Sequence, residues 1–182
     1  MTLFIDTHDS LITVALYDGS KLIIKTQESL YSHAKYLMPM IDNILKENNL
    51  TVKDIKEIVA INGPGSFTGL RIGLSAAKTL AYSLNIPIYL ISSLTAYLIS
   101  SDIKEDKMAV IEDNKGYYVS AFDKDNNCIL EETYKENIDD LNYIVVPEKL
   151  DVVKVIEFAK KSSPVDAHLV RANYVKKIEV EK

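Results

Sequence analysis

Four of the chain's six glycines lie in one short segment, NGPGSFTGLRIG, at residues 62–73. The pattern of a buried strand at residues 58–61 precedes this segment, and a helical pattern at residues 69–84 follows it. A strand, a tight turn and a helix N-terminus in succession are typical of α/β proteins, and such a turn can bind anions. The segment therefore predicts an α/β fold and raises the question of whether it holds a phosphate.

Two phosphate-loop templates fail on this segment. A Walker A loop needs G-x-x-x-x-G-K-[ST], whereas Gly69 is followed by Leu70 and Arg71, so both the spacing and the lysine are missing. The dinucleotide fingerprint G-x-G-x-x-G fails because Thr68 stands where the third glycine belongs. We therefore interpret the glycines as a tight turn joined to the start of a helix.

The predicted helix carries a small residue at every fourth position, which leaves one face almost without side-chain bulk. These residues are Gly69, Gly73, Ala77 and Ala81. Such a face allows close approach by another backbone, which is either the chain's own sheet or a helix of another subunit. The sequence leaves both interpretations open. In the second, a large residue at Gly73 weakens docking and leaves the monomer folded.

Two larger side chains beside the turn are candidate contact residues. Phe67 lies inside a glycine turn, where it either packs into the core or projects toward a partner. Arg71 is one of two arginines among 21 basic residues, and the planar guanidinium suits sites that need several donors. An ordinary surface arginine is the alternative interpretation.

Composition excludes several classes of function. The formal net charge of −5 and the pI near 5.3 argue against an autonomous nucleic-acid binder, which normally carries a basic face. The single cysteine, Cys128, excludes an internal disulfide and is typical of a reducing cytoplasm. The N-terminus shows no basic region followed by an apolar stretch, so we expect a cytoplasmic protein.

One uncharged segment, residues 79–101, is long enough to span a bilayer. Pro87 and several serines interrupt it, and a proline in mid-span with polar neighbours is a poor insertion signal. We interpret the segment as a helix end, a buried strand and a second helix, and we predict no membrane association.

The predicted elements follow the order β-β-β-α-β-α twice, the second time in reduced form. Residues 3–26 predict three strands, with a hairpin turn at Asp18 and Gly19, and a helix with Pro39 as a kink or break follows at residues 31–48. Strands followed by α/β alternation predict mixed sheets covered by helices. We place the boundary in the charged stretch at residues 101–107, which gives lobes 1–102 and 103–182.

Four segments together resemble the TsaB (also called YeaZ) family. GPGSFTGLRIGLSAAKTLA is similar to the family's signature, and FIDTHDSLITVALYDG is similar to its opening DTS…VAL hairpin. SHAKYLMPMIDNIL and LNIPIYLISSLTAY resemble a helix and a strand–helix unit of the family. The resemblance covers residues 3–100 and implies an actin/Hsp70-like fold of two RNase-H-like lobes. The second lobe is shorter than the family's and lacks the arginine of its D.R..E.Y pattern.

The resemblance implies a non-catalytic subunit of the bacterial machinery that makes threonylcarbamoyladenosine in tRNA. The TsaD-type paralogue carries the metal and transfers the threonylcarbamoyl group to adenosine 37 of tRNAs that read codons beginning with A. A TsaE-type ATPase joins the pair, so ATP or ADP is expected at the level of the complex and no cofactor is firmly implied for this chain. The resemblance also implies a homodimer when the protein is alone, and tRNA contact that is indirect or through the complex.

We predict a subunit interface on the two helices that begin near Tyr31 and Gly69. The predicted interface residues are His33, Leu37, Met40, Phe67, Gly69, Arg71, Gly73, Ala77 and Ala81.

Two kinds of enzyme are the alternatives. Actin-like nucleotide-binding enzymes use an Asp at the end of the first strand and a polar turn after it, and Asp6, Thr7 and Ser10 stand there. Asp6 and Thr7 are thus candidate cofactor-binding residues, although an Asx or ST turn is the simpler explanation and the one we favour. A glycopeptidase-like hydrolase gains little support, since no G-x-S-x-G elbow is present. No metal site is predicted, because the three histidines do not form an H-x-x-x-H pair.

Overall fold

The structure is a computed structural model that describes residues 1–29 and 32–175. Its strands form two mixed sheets. The first, in the order β3-β2-β1-β4-β5, contains β1 (Thr2–Asp6), β2 (Leu11–Tyr17), β3 (Leu22–Glu28), β4 (Glu57–Ile61) and β5 (Ile88–Ile91). The second, in the order β8-β7-β6-β9, contains β6 (Lys107–Asp113), β7 (Gly116–Phe122), β8 (Cys128–Lys135) and β9 (Ile144–Val145).

Helices connect and cover these sheets. The α-helices of the described residues are α1 (His33–Glu47), α2 (Phe67–Leu84), α3 (Ser93–Ser100) and α4 (Val152–Ala159), with short 3-10 helices at Val52–Asp54 and Ala167–Leu169. Tyr31, where we expected α1 to begin, lies outside the described residues. Instead of breaking at Pro39, α1 continues through it, because its buried face of Leu37, Ile41 and Ile44 holds it on the first sheet.

The repeated order of elements is confirmed. In the first sheet β1 is antiparallel to β2 and parallel to β4, and in the second sheet β6 is antiparallel to β7 and parallel to β9. This arrangement of mixed sheets and covering helices is the predicted α/β, RNase-H-like architecture. The second copy is smaller: among the described residues its sheet has no fifth strand, and the connection from β8 to β9 forms no helix.

The last helix packs on the first lobe rather than on its own sheet. Val155, Ile156 and Ala159 of α4 are buried with Phe4 and Val59 of the first sheet. The chain then returns along that lobe, where the backbone N–H of Val165 donates to Ile88 O at 2.8 Å. Residues that we assigned to the second lobe therefore complete the core of the first.

The uncharged segment at residues 79–101 is divided as expected into the end of α2, strand β5 and helix α3. Within the part of the chain that the structure describes, no helix combines the length and the apolar character that crossing a membrane requires.

Candidate docking groove and interlobe cleft

The glycine turn, residues 63–65, packs against the turn between β1 and β2. The backbone N–H of Ser66 donates to His8 O at 2.6 Å, and the Ser66 hydroxyl accepts from Gly69 N as the N-cap of α2. A Cβ on Gly65 would overlap the carbonyl oxygen of His8, and φ at Gly65 is +156°. The glycine is therefore needed for close approach of two backbone segments.

The small-residue face of α2 packs on the chain's own first strand. A Cβ on Gly69 would overlap Thr7 O, and a Cβ on Gly73 would overlap Thr7 Oγ1. Ala77 and Ala81 are buried in the core beneath the helix. Of the two interpretations left open, close packing within the chain is therefore the one the structure supports. This corrects the expectation that these four residues form a surface for another subunit.

The predicted interface residues of α1 are also mostly internal. Leu37 is buried, and His33 is buried with its Nε2 2.8 Å from Asp9 O. Met40 is half-buried and packs against the same core. His33 also lines the cleft between the lobes, and Leu37 forms the floor of the groove described next. The assignment of His33, Leu37 and Met40 to a subunit interface stays a prediction.

A largely apolar groove of about 690 Å³ lies between the exposed sides of α1 and α2. Its lining residues are Ala34, Leu37, Met38, Phe67, Thr68, Arg71, Ile72, Ser75, Ala76, Thr79 and Leu80. Met38 is 48% exposed and Phe67 is 52% exposed, and Arg71 is the one charged residue in the lining. The groove lies on the two helices on which we predicted an interface, along the stripe of α2 beside its small-residue face.

Sequence reasoning missed Met38, Ile72, Ala76 and Leu80 in this groove. Ile72, Ala76 and Leu80 recur every four residues, one position before Gly73, Ala77 and Ala81. A helix that packs on a sheet needs only one apolar stripe for its core contacts. The second apolar stripe, beside the small-residue stripe, could therefore have been identified from the sequence.

Phe67 and Arg71 project from α2 and contact each other and the C-terminal segment. The Arg71 guanidinium lies 3.8 Å from the centroid of the Phe67 ring, a cation–π contact. The ring of Tyr174 lies 5.7 Å from that of Phe67, and Arg71 Nε donates to the Tyr174 hydroxyl at 3.4 Å. These contacts place the Arg71 guanidinium over the Phe67 ring at the end of the groove.

On the other side of Phe67, a cleft of about 720 Å³ separates the lobes. The first lobe contributes the turn after β1, the glycine turn and α3, and the second contributes the ends of β6 and β7 together with Glu148. Its acidic lining residues are Asp9, Glu112, Asp113 and Glu148, and its described lining contains no lysine or arginine. The cleft therefore carries negative charge.

A buried hydrogen-bonded chain joins the first strand to α3 at this cleft. The Asp6 carboxylate accepts from His8 Nδ1 at 2.7 Å, and His8 Nε2 lies 2.8 Å from the Tyr97 hydroxyl. Burial opposes protonation of His8, but the nearby charges of Asp6, Asp9 and Glu148 outweigh it and raise the pKa of His8 above 6.5. Burial, followed by the same carboxylates, raises the pKa of Tyr97, so its hydroxyl keeps its proton.

The residues at this cleft do not fit a nucleotide. Asp6 accepts hydrogen bonds from His8, and the Thr7 hydroxyl donates to Gly69 O at 2.8 Å, so both candidate cofactor-binding side chains already have partners within the chain. A lining with four acidic residues and no lysine or arginine disfavours phosphate groups. The described residues also contain no group of three His, Cys, Asp or Glu side chains that could hold a metal ion. Both Asp6 and Thr7 instead fix the turn after β1, the simpler of the two explanations.

Comparisons with known proteins give one consistent result. A family model described as "TsaD: tRNA N6-adenosine threonylcarbamoyltransferase" matches residues 27–176. The tRNA threonylcarbamoyladenosine biosynthesis protein TsaB of Bacillus subtilis (strain 168) is 40% identical over 93 residues, which are 50% of this chain and 41% of that protein. TsaB of Haemophilus influenzae is 39% identical over 95 residues, which are 52% of this chain and 40% of that protein. These matches thus extend over less than half the length of the curated relatives.

Solved structures agree on the fold. The structure of YeaZ from Pseudomonas aeruginosa superimposes with a TM-score of 0.79 at 20% sequence identity, covering 94% of this chain and 99% of that chain. A second structure from the same organism, described as similar to the peptidase YEAZ, gives a TM-score of 0.81 at 19% identity and covers 96% of this chain and 99% of that chain. At such identities the likeness concerns the fold.

Proposed function

The chain belongs to the TsaB (YeaZ) family, and from this premise we propose that it is a non-catalytic subunit of the bacterial machinery that forms N6-threonylcarbamoyladenosine in tRNA. In this proposal it binds and supports a TsaD-type transferase in the cytoplasm, and a TsaE-type ATPase joins the pair. The modified adenosine is at position 37 of tRNAs that read codons beginning with A. Contact with tRNA is indirect or through the complex.

The groove between α1 and α2 is the observation that carries this proposal. Met38 and Phe67 are each about half exposed, although both are large apolar side chains whose exposure costs free energy in water. A groove lined by small and apolar residues along two helices accepts an amphipathic helix of a partner. We propose that this groove is the docking surface for the TsaD-type partner.

Arg71 and Phe67 supply the anchor of this surface. Aromatic and arginine side chains dominate the binding energy of many interfaces, especially when they are held in place before binding. Because Arg71 already lies over the Phe67 ring and contacts Tyr174, little side-chain entropy is lost when a partner covers it. The single positive charge of the groove also favours a partner with a carboxylate opposite it.

A titration of the purified chain with the TsaD-type protein of the same organism tests the proposal. Met38→Asp and Ser75→Arg place a charge in the groove at exposed positions, so the fold is expected to persist. The loss of a well-packed contact residue costs about 2 kcal/mol or more, which corresponds to roughly a 30-fold weaker affinity in calorimetry. Val52→Asp is the matched control, since Val52 is 44% exposed outside the groove.

Three outcomes separate the possibilities. Weaker binding by both groove variants and unchanged binding by the control supports the proposal. Unchanged binding by both groove variants contradicts it. If light scattering shows that Met38→Asp dissolves a homodimer while the transferase still binds normally, the groove is a surface between copies of this chain and the docking assignment is wrong.

The non-catalytic role is tested separately. We expect the purified chain alone to hydrolyse no ATP and to bind none in calorimetry, because its interlobe cleft is acidic and Asp6 and Thr7 are engaged internally. Threonylcarbamoyladenosine formation by the reconstituted proteins should fail with the groove variants. Steady ATP turnover by the chain alone would contradict the role of a supporting subunit.

A further inference from the structure

The second sheet leaves most of one strand edge unpaired. Strand β9 pairs with β6 only at Lys107 and Met108, whereas β6 continues to Asp113. In the first sheet the corresponding pair, β1 with β4, extends over four residues, and β5 lies beyond it. In the described part of the chain, no strand covers β6 on this side after Met108.

The cause is a turn immediately after β9. Val146 N still donates to Met108 O at 2.9 Å, but Pro147 follows, and Lys149 N donates to Pro147 O at 2.8 Å. The chain therefore bends away from β6 at the point where a longer strand would have continued. Among the residues that the structure describes, no strand pairs with the remaining edge of β6.

The backbone groups on this edge point away from β7. Alternate residues of a strand direct their N–H and C=O groups to the same side. Because Met108 O bonds to the β9 side, Val110 and Glu112 also present their backbone donor and acceptor to that side. An edge of this kind is a template for pairing with another extended chain.

The open edge borders the acidic cleft. Glu112 of β6 and Glu148 of the turn after β9 both line the cleft, together with Asp9 of the first lobe. The ion pairs formed by the described residues include neither Glu112 nor Glu148. An incoming strand would therefore meet two carboxylates, Glu112 and Glu148, that form no ion pair with a lysine or arginine of the described residues.

We propose that the edge of β6 at Val110 and Glu112 accepts an extended segment of a protein partner that carries lysine or arginine side chains. The segment adds to the second sheet as a strand, so its main chain bonds to β6. Its basic side chains meet Glu112, Glu148 and Asp9 across the cleft. This site is separate from the groove between α1 and α2 and does not depend on what that groove binds.

The test uses a short, fluorescently labelled peptide in which lysine alternates with valine, with its ends capped. We expect saturable binding by fluorescence anisotropy, and weaker binding at higher salt because the side-chain contacts are partly exposed. The same peptide with glutamate in place of lysine should not bind. Equal binding of the two peptides, or no saturable binding of the lysine peptide, would overturn the proposal.

Charge reversal gives the matched variant. The double substitution Glu112→Lys and Glu148→Lys turns two attractions into repulsions, and we expect roughly tenfold weaker binding of the lysine peptide. The same variant should now bind the glutamate peptide. Absence of this exchange of preference would show that the two carboxylates do not face the bound segment.

Strand addition is separated from simple charge attraction by the backbone. Val110→Pro removes the one donor that Val110 offers to the open edge, and proline is tolerated on an edge strand, so thermal unfolding should change little while peptide binding falls. If this variant does not fold, N-methylated peptides carry the test instead. Methylation of the amides on one edge of the lysine peptide should abolish binding, whereas methylation on the other edge should leave it. Equal effects of the two methylation patterns would overturn strand addition.

Discussion

Replacement of Gly73 by alanine should destabilise the protein, although alanine favours a helix. The added Cβ would overlap Thr7 Oγ1 and lie 3.2 Å from both Thr7 Cβ and Thr7 Cγ2. Thr7 is almost fully buried, so its side chain cannot rotate away without losing the bond that its hydroxyl donates to Gly69 O. The substitution therefore forces a clash and a lost hydrogen bond at one place.

The magnitude follows from three contributions. Overpacking of a tight site costs about 1–3 kcal/mol, and the buried Thr7 hydroxyl left without its acceptor costs about 1–3 kcal/mol. Alanine in place of glycine returns about 1 kcal/mol of helix propensity. We expect a net loss of about 1–5 kcal/mol in the free energy of unfolding, or about 2–20 °C in Tm for a chain of this length.

A double-mutant cycle in urea decides whether this reasoning holds. Thr7→Ala removes the clashing oxygen, so Gly73→Ala in that background should cost almost nothing or stabilise the protein slightly. The coupling energy between the two positions should then be about 2–3 kcal/mol. Additive effects within about 0.5 kcal/mol would refute the contact. The exposed Ser75→Gly measures helix propensity on the same helix and serves as control.

The same contact reverses an expectation drawn from the sequence. A leucine at Gly73 was expected to weaken docking and leave the monomer folded. Since the position faces Thr7 inside the chain, Gly73→Leu should instead prevent folding, and it cannot report on docking.

Two further predictions concern polar groups at the lobe junction, where His8 is buried and Glu132 is partly buried. The pKa of His8 is raised above 6.5 in the folded state, so the stabilisation from its pairing with Asp6 is complete below pH 6.5 and is lost as the pH rises through the raised pKa. Tm should therefore fall as the pH rises through this range. His8→Gln should remove this dependence of Tm on pH. Glu132 accepts from the amide of Asn173 at 2.6 Å and from the Ser92 hydroxyl, so Glu132→Ala leaves both donors unpaired and should lower the free energy of unfolding by about 1–3 kcal/mol in urea, with a smaller loss for Asn173→Ala. A Tm of His8→Gln that follows pH as the unaltered chain does, or equal stability of Glu132→Ala, would contradict these assignments.

The order of the elements could be predicted from the sequence because each depends on local periodicity. The alternation at Ile12, Val14 and Leu16 and the turn at Gly19 specify a hairpin without reference to the rest of the chain. The position of α4 could not be predicted in this way. Its apolar stripe would fit either sheet, and only the three-dimensional arrangement shows that Val155 meets the first.

The predicted interface and the observed groove lie on the same two helices but on different stripes of α2, for a related reason. A helix face of small residues can pack closely against either a sheet or a partner helix. The sequence pattern at Gly69, Gly73 and the two alanines therefore fits both kinds of neighbour. Which neighbour it meets depends on Thr7, which lies 66 positions before Gly73 in the sequence. The sequence pattern contains no information on that distance in space.

The two faces of α2 depend on each other. Gly73 and Ala77 are small enough for α2 to pack closely on the first sheet. The neighbouring stripe of Ile72 and Ala76 therefore lies beside α1, where it lines one side of the groove. Larger side chains on the buried face would move α2 away from the sheet and change the shape of the groove. If this is correct, a mild substitution such as Ala77→Val, introduced together with stabilising changes elsewhere so that the chain still folds, should weaken binding of the proposed transferase partner although Ala77 is buried in the chain's own core. Unchanged affinity in a folded Ala77→Val variant would show that the groove does not depend on how closely α2 approaches the sheet.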